Sequence, residues 1–505
     1  MTENEIDDLT VNSTLSRRQR RKNRIESINI QEKTGKKLPR PKMWLVVIWS
    51  LVLALTSVAN PFLSSFANNL QSQNLYAGMA MQMGQIPYEN FFGTKGVLYY
   101  LLVSLGSSFG TTWILVGLQF IALVLSGIYF YQIIAYITQS EKLSTSYSNW
   151  FYLLLLTINF GGLYAGMFAL PFIVTSIWFL IRYFDDAMKD EWFILYGADA
   201  ALVFLIYPKS LIFWLIAGVV LLVFNSQKHQ FSRGIYQFLA TIFGFLFIIY
   251  LVGYYAFESQ ILGTAIQQTF LYNLQLDFFN EDIRWTLVIV GCFMILSGFL
   301  KNILQTIFSF WKKSYTHMKT ILLLTFLIQL LLIIGSPDFH WNQLLLLLPY
   351  GFVLGALQLI PEQTETVSSY LRQHFFLPLL ISIVMVVQPL YSYYLQKDVR
   401  VEREQIASII AETTKSSDKI FTWDNSALIY LESRRVSSTR IIAAKPYLNN
   451  ETNKNNLMYD LNKNEAIYIV VNKGIAMSNE MKDYIELYYS PVESITHFTL
   501  YQKNE

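Results

Sequence analysis

The sequence has few of the residues from which metal, disulfide and redox sites are built. It contains one cysteine, Cys292, and five histidines without paired spacing among 505 residues. One thiol excludes a disulfide framework and a thiol metal cluster, and the histidine spacing matches no zinc motif. We therefore expect no cofactor and no divalent metal. We expect Cys292, inside an apolar run, to be a small buried hydrophobic residue.

Charged residues are scarce as well. They make up 14% of the chain, whereas soluble domains usually carry about a quarter. Hydrophobic residues reach 53% and aromatic residues 16%, and the mean hydropathy is +0.35. A water-soluble core cannot bury this much apolar surface, so the excess must face lipid. The composition excludes a soluble enzyme and predicts a protein that spans a membrane several times.

Basic residues are concentrated at the N-terminus. Eleven of the 38 lysines and arginines lie within residues 1–42, which we interpret as a basic cytoplasmic tail. The next apolar run, Met43–Val58, has no small-residue cleavage site, so we interpret it as an uncleaved first span. Basic residues beside a span more often set topology and contact anionic lipid than bind nucleic acid. We therefore expect a membrane partner and no nucleic acid.

Eleven apolar runs have a length typical of membrane spans. Besides Met43–Val58 they are residues 113–136, 149–164, 166–184, 192–207, 210–225, 235–256, 285–301, 319–335, 343–360 and 375–395. The run Val97–Gly110 is about half a span long. If it does not cross, the basic loops all fall on the inner side, as the positive-inside rule requires. The loops 59–112, 257–284 and 336–342 and everything after residue 396 then lie outside.

The last hundred residues have a different composition. From Arg400 onward there are 13 basic and 14 acidic residues. Strand patterns occur at Lys419–Trp423, Ala466–Val471 and Ile495–Tyr501, helical patterns at Val401–Thr413 and Ser478–Tyr489, and a polar loop is expected at Asn449–Asn456. The pattern predicts a small extracytoplasmic α/β domain over residues 397–505. It follows an α-helical polytopic membrane module over residues 43–396.

The first long loop, residues 59–112, carries two recognisable motifs. They are Gln73-Asn74-Leu75-Tyr76-Ala77 and Gly84-Gln85-Ile86-Pro87-Tyr88-Glu89-Asn90-Phe91-Phe92-Gly93-Thr94-Lys95-Gly96-Val97-Leu98-Tyr99-Tyr100. This loop resembles the first extracytoplasmic loop of GT-C superfamily membrane glycosyltransferases of the protein mannosyltransferase and aminoarabinose transferase type. In that family the loop reads approximately Asp-Glu-x-x-Tyr-x-x-x-Ala, Gly-x-x-Pro-Tyr-x-Asp-Phe and Lys-x-Pro-Leu-x-Tyr.

Three further motifs agree with this resemblance in their order along the chain. They are Gly161-Gly162 followed by Phe168-Ala169-Leu170-Pro171, Phe339-His340-Trp341 leading to Pro349, and Asp418-Lys419-Ile420-Phe421-Thr422-Trp423 with Ile429-Tyr430 and Arg434. They are similar to a helix after a short outer loop, an element entering a late span, and the opening of an outer C-terminal domain. The resemblance therefore covers most of the chain from residue 43.

The resemblance implies transfer of a sugar from a polyprenyl-phosphate carrier to an acceptor on the outer face. A carboxylate would take the acceptor proton, and a basic side chain would bind the carrier phosphate as its charge grows. By family position Lys95 is the phosphate ligand, and topology adds Lys209. Tyr76, Tyr88 and His340 stand at substrate-binding positions. An interfacial anchor is the alternative for His340.

The acidic residues of the family pattern are missing. Ser72, Gln73 and Asn74 stand where Asp-Glu is expected, Asn90 stands where Asp is expected, and Leu163-Tyr164 replaces a glutamate pair of some bacterial relatives. The family proline after Lys95 is also absent. Glu89 and Asp338 remain as candidate catalytic bases. The alternatives are a solvated loop glutamate for Glu89 and a helix cap for Asp338.

Two other groups of acidic residues are candidates. The loop 257–284 interleaves carboxylates with aromatic residues, which suits sugar binding, although a solvated loop explains the same composition. Asp199 lies in an apolar run, where an ionisable group must face the protein interior and find a partner. It is as consistent with a structural role as with a functional one.

Two functions from different classes follow from these observations. One is a glycosyltransferase of a bacterial plasma membrane that uses a polyprenyl-phosphate sugar to modify a cell-surface glycan or teichoic-acid-type acceptor. The other is a catalytically degenerate protein that binds a polyprenyl-linked glycan or scaffolds an active partner transferase. A transporter is a third possibility, although no matching half-repeats occur. An outer carboxylate that reaches the cavity above Lys95 would distinguish the first two.

Overall fold

We describe the protein from a computed structural model. It covers residues 38–158, 160–278, 283–309, 315–336, 339–359, 383, 387, 390–391, 393–444, 448 and 451–504. Among the described residues, the part up to Ala356 is mainly helical, and a mixed sheet with flanking helices forms the C-terminal part.

The membrane module is built from helices of very different length. In chain order they are α1 Met43–Leu55, α2 Asn69–Gln82, α3 Val97–Gly106, α4 Trp113–Thr138, α5 Glu141–Ile158, α6 Ala165–Phe184, α7 Phe193–Ile206, α8 Ile212–Gln227, α9 Phe231–Glu258, α10 Leu262–Ile266, α11 Ile283–Leu296, α12 Phe299–Phe308, α13 Thr316–Ile334 and α14 Leu348–Ala356. Short 3₁₀ segments at Pro61–Phe66, Pro208–Leu211 and Trp341–Leu347 join some of them.

The described residues do not confirm the expected count of eleven spans. Among the described residues, five helices are long and apolar enough to cross a membrane, namely α4, α6, α8 with its preceding 3₁₀ turn, α9 and α13. A sixth would be α11 with α12, which are bent by 72°. Several other apolar runs form helices too short to cross alone, such as α1 with 13 residues and α7 with 14. The predicted span 375–395 lies largely outside the described residues.

The helices pack through aromatic and small side chains. Phe130 of α4 stacks on Phe151 of α5 with ring centroids 4.2 Å apart, and both meet Phe352 of α14 edge to face. Such pairs contribute about 0.5–1.5 kcal/mol beyond the area they bury. They fix α4, α5 and α14 as one body.

Two residues of the membrane module were assigned to the protein interior from the sequence. The prediction that Asp199 of α7 has a partner inside the protein is confirmed, because its carboxylate accepts hydrogen bonds from Thr175 at 2.8 Å and Ser176 at 3.2 Å on α6. The prediction for Cys292 is wrong, since this residue of α11 is exposed. Apolar character does not distinguish a lipid-facing helix surface from a buried one, because both are apolar.

The C-terminal domain is a sheet covered by helices. Its elements are α15 Lys397–Thr413, β1 Lys419–Trp423, α16 Leu428–Ser433, β2 Val436–Ser437, α17 Glu451–Lys463, β3 Tyr468–Asn472, α18 Asn479–Tyr488, β4 Tyr489–Ser494 and β5 Phe498–Lys503. In the described residues the strand order is β2-β1-β3-β5-β4. β1 pairs parallel with β2 and β3, whereas β5 pairs antiparallel with β3 and β4.

One local prediction for this domain is wrong. The segment expected to be a polar loop, Asn449–Asn456, enters helix α17 at Glu451. The helix forms because Leu457 and Leu461, four residues apart, are buried on one face against the sheet. Tertiary packing thus overrides the weak helix propensity of the four asparagines within Glu451–Lys463.

The C-terminal domain and the first loop are joined by buried hydrogen bonds. The Ser72 hydroxyl of α2 accepts from the Ala427 N–H at 3.0 Å, and the Tyr76 hydroxyl accepts from the Ser437 N–H at 2.9 Å. The Phe92 N–H donates to the Arg440 carbonyl at 2.7 Å. The C-terminal domain therefore packs against helix α2.

Candidate functional site

A polar cleft lies between the first loop and the membrane helices. Its lining comes from α2, from the loop before α3, from the start of α6, from the α7–α8 connection, from the segment after α10 and from the segment after α13. These elements contribute Leu70, Asn74, Thr94, Lys95, Tyr164, Ala165, Gly166, Tyr207, Lys209, Asn273, Ser336, His340, Asn342, Gln343 and Leu346.

The backbone of Gly96 places Lys95 in this cleft. The Gly96 N–H donates to the Ile206 carbonyl at the end of α7 at 3.1 Å. A Cβ at Gly96 would stand 2.1 Å from the carbonyl oxygen of Leu205, so only glycine permits this approach. The buried Tyr88 hydroxyl donates to the Lys95 carbonyl at 2.7 Å and fixes the other side of the turn.

Lys209 reaches the same cleft from the α7–α8 connection. Its ammonium donates to the Ser336 hydroxyl at 2.9 Å, just beyond α13. Tyr207 also lines the cleft, and its ring centroid is 5.4 Å from the Lys95 ammonium. Two cationic groups on separate elements thus line one cleft, which is the arrangement that favours a phosphate group.

His340 lies in the cleft as a neutral residue. Burial, and then the positive charges of Lys95 and Lys209, lower its pKa from the ordinary 6.5 to about 4. Its imidazole is therefore uncharged near neutral pH and carries one N–H donor and one acceptor nitrogen. It can hydrogen-bond a phosphate oxygen or a sugar hydroxyl without adding charge.

Amide side chains complete the lining. Asn273 donates to the Thr94 carbonyl at 2.8 Å, and Asn74 donates to the Leu163 carbonyl at 2.9 Å. The side-chain oxygen of Asn342 is buried and has no hydrogen-bond partner among the described residues. A buried acceptor of this kind is stabilised when a ligand hydroxyl or amide donates to it.

The residues that the sequence singled out fall into three groups. Lys95, Lys209 and His340 come together in the cleft. Tyr76 and Tyr88 are buried beside it and hydrogen-bond the protein backbone. Glu89 is exposed and does not line the cleft.

The remaining candidate, Asp338, lies outside the described residues. Its sequence neighbours Ser336 and His340 both line the cleft. No described lining residue is a carboxylate.

The neutral residues that stand at the expected acidic positions form hydrogen bonds with other parts of the protein. Ser72 bonds the C-terminal domain, Gln73 donates to the Asn425 carbonyl at 3.2 Å, and Asn74 bonds the Leu163 carbonyl. The Asn90 side chain accepts from the Ile86 N–H at 2.7 Å and closes the loop. Neutral side chains thus stabilise the region where the family carries charge.

Sequence reasoning missed several residues of the lining. Thr94, Asn273, Ser336 and Asn342 are uncharged polar residues in loops or at the ends of apolar runs. In the loop 257–284 we considered the carboxylates, whereas the amides of this loop line the cavities. The usable signal was an amide flanked by aromatic and apolar residues, as Asn273 is.

The helical module with this cleft and its terminal α/β domain has the GT-C glycosyltransferase fold. The structure is similar to crystal structures of ArnT from Cupriavidus metallidurans. The form bound to undecaprenyl phosphate has 11% identity and a TM-score of 0.54, covering 90% of this chain and 97% of that chain. The apo form has 12% identity and a TM-score of 0.55, covering 90% and 96%.

Family comparison then identifies the chain more narrowly. The competence-induced protein Ccs4 N-terminal domain matches residues 31–397, and the Ccs4 C-terminal domain matches residues 400–504. The chain belongs to this family. The comparison with curated proteins finds no match.

Proposed function

We propose that this protein is a membrane glycosyltransferase that takes a sugar from a polyprenyl-phosphate carrier. The observation that carries the proposal is the pairing of Lys95 and Lys209 in one polar cleft beside the neutral His340. One of the two crystal structures of ArnT, whose fold this chain shares, is a complex with undecaprenyl phosphate. Charge-assisted hydrogen bonds to the carrier phosphate strengthen as negative charge develops on it, so these lysines favour its departure.

The acceptor step needs a base. An acceptor hydroxyl attacks the anomeric carbon, the bond from that carbon to the phosphate oxygen breaks, and a carboxylate takes the hydroxyl proton. Asp338 is the first candidate, because residues two positions away on either side line the cleft. Glu89 is the second candidate, since it is the only carboxylate of the first loop.

The orientation follows from the charge distribution. We place the N-terminal tail in the cytoplasm of a bacterial cell and the cleft and C-terminal domain on the outer face of the plasma membrane. The acceptor would then be a cell-surface glycan or a teichoic-acid-type polymer.

The test is transfer of label from radioactive polyprenyl-phosphate sugars to cell-wall acceptors by the protein in liposomes. We expect transfer by the wild type, a loss of at least about 100-fold in Asp338→Asn, and retained transfer in Glu89→Gln. Loss in Glu89→Gln alone would move the base to that residue. Unchanged activity in both variants would remove both assignments.

A second function has its own supporting observation. Ser72, Gln73 and Asn74 are neutral where the family pattern is acidic, and each is engaged in structural hydrogen bonds. A catalytically degenerate protein that binds a polyprenyl-linked glycan, or that scaffolds an active transferase, would tolerate these changes. Carrier binding that depends on Lys95, without transfer from any donor, would favour this alternative.

A further inference from the structure

A second cleft lies on the opposite side of the wall that borders the lysine cleft. It is formed by the loop residue Phe92, by α10 and the segment after it, and by Arg440, Ile441 and the start of α17 in the C-terminal domain. Its polar lining consists largely of amides and hydroxyls, including Gln267, Gln275 and Asn456.

Aromatic rings supply the apolar part of this lining. Phe92 and Tyr272 meet edge to face with ring centroids 5.3 Å apart. The one cation among the described lining residues is Arg440, and it is paired with the Asp460 carboxylate at 2.9 Å. The cleft therefore presents hydrogen-bonding amides and aromatic rings with little unbalanced charge. Rings pack against the apolar C–H faces of sugars, and amides both donate to and accept from hydroxyl groups.

The two clefts share a wall made of two crossing segments. The Gly93 N–H donates to the Gln268 side-chain oxygen at 2.9 Å, and the Gln268 amide donates to the Tyr88 carbonyl at 2.8 Å. Asn273 fastens the same segments through the Thr94 carbonyl. Phe92 and Tyr272 face the second cleft, whereas Thr94 and Asn273 face the lysine cleft. A ligand bound in one cleft therefore lies beside the other cleft.

We infer that the second cleft is the binding site for a glycan segment of the acceptor. This inference rests on the proposed function for the direction of transfer, but sugar binding in the cleft does not depend on the chemical step. The C-terminal domain then has a direct role, since it provides five of the twelve lining residues, three of them from helix α17. Oligosaccharides of several units would bind more tightly than monosaccharides, because the cleft extends across two domains.

The test uses a microarray of bacterial surface polysaccharides and their oligosaccharide fragments, probed with the full chain in nanodiscs of uncharged lipid. We expect the wild type to bind a subset of glycans. Gln267→Ala and Asn456→Ala should weaken that binding by about fivefold each, the effect of one lost hydrogen bond. Asn455→Ala is the matched control, because Asn455 is exposed on α17 next to Asn456 and does not line the cleft.

The outcomes separate this inference from the proposed function. Binding of polyprenyl phosphate should be unchanged in Asn456→Ala, and glycan binding should persist in Lys95→Met. Glycan binding without carrier binding by the wild type would contradict the proposed function and leave the second cleft supported. The inference is overturned if the wild type binds no glycan on the array, or if Gln267→Ala and Asn456→Ala both bind like the wild type.

Discussion

The hydroxyl oxygens of Ser72 and Ser426 lie 3.2 Å apart, although the two residues are 354 positions apart in the sequence. Both side chains are buried. Ser72 stands in the part of the first loop where the GT-C family pattern is acidic. The Ser72–Ser426 contact, which we call the domain joint, therefore connects two domains at a position where the family pattern predicts charged residues. The joint orients the C-terminal domain over helix α2 and thereby positions the second cleft, which this domain helps to line.

Removing the Ser72 hydroxyl should destabilise the domain joint. In Ser72→Ala the buried Ala427 N–H loses its acceptor, which costs about 1–3 kcal/mol. The midpoint of thermal unfolding in detergent, followed by intrinsic fluorescence, should fall by several degrees. Ser408→Ala is the matched control, since both hydroxyls donate to the carbonyl three residues earlier but Ser408 is exposed. Equal midpoints for the two variants would contradict the proposed joint.

Loss of either lysine should weaken binding of polyprenyl phosphate. Lys95→Met and Lys209→Met each remove a charge-assisted hydrogen bond, so we expect binding to weaken by at least about tenfold. Ser336→Ala, which changes only the neutral partner of Lys209, should have a smaller effect. Binding can be measured by native mass spectrometry of the protein in nanodiscs. Lys142→Met, at an exposed position of α5 outside the cleft, should bind like the wild type.

Much of the fold could be predicted from local patterns. Strand β1 has the predicted bounds Lys419–Trp423, and β3 and β5 overlap their predicted segments. The two-residue strand β2 was missed, because its pairing with β1 is a tertiary property. The short 3₁₀ helices at the ends of apolar runs, such as Pro208–Leu211, were also missed. Hydropathy reports apolar length, whereas a 3₁₀ turn such as Trp341–Leu347 interrupts the helix without a change in polarity.

Only some residues of the candidate site could be predicted from the sequence. Lys95 could be found from its position in the family motif, and Lys209 from the predicted topology. Asn273 and Ser336 could not, since an uncharged side chain gains its position only from contacts made by the folded chain. The cleft's dependence on Gly96 was hidden for the same reason. It follows from the approach of two backbone segments that are distant in the sequence.

The neutral state of His340 should make folding stability depend on pH. Its folded pKa of about 4 lies below the ordinary 6.5, so the unfolded chain binds the proton more readily. The stability that this group contributes is complete above about pH 6.5. It falls by about 1.4 kcal/mol for each pH unit as the pH is lowered from 6.5 to 4.

Nuclear magnetic resonance of histidine-labelled protein would follow this titration, with His340→Gln to assign the signal. We expect no protonation of His340 between pH 8 and pH 5.5, and a loss of unfolding midpoint on acidification that is reduced in His340→Gln. A titration near pH 6.5 would show that the side chain is not enclosed beside the two lysines.

Gly96→Ala tests whether the backbone approach at the end of α7 positions Lys95. The added Cβ would stand 2.1 Å from the Leu205 carbonyl oxygen, so the turn must move away from Ile206 and carry the Lys95 ammonium with it. We expect polyprenyl-phosphate binding to fall about as far as in Lys95→Met, although the lysine is still present. Gly263→Ala is the matched control, because a Cβ there meets no atom within 4 Å. Retained binding in Gly96→Ala would mean that Lys95 reaches the phosphate without this contact.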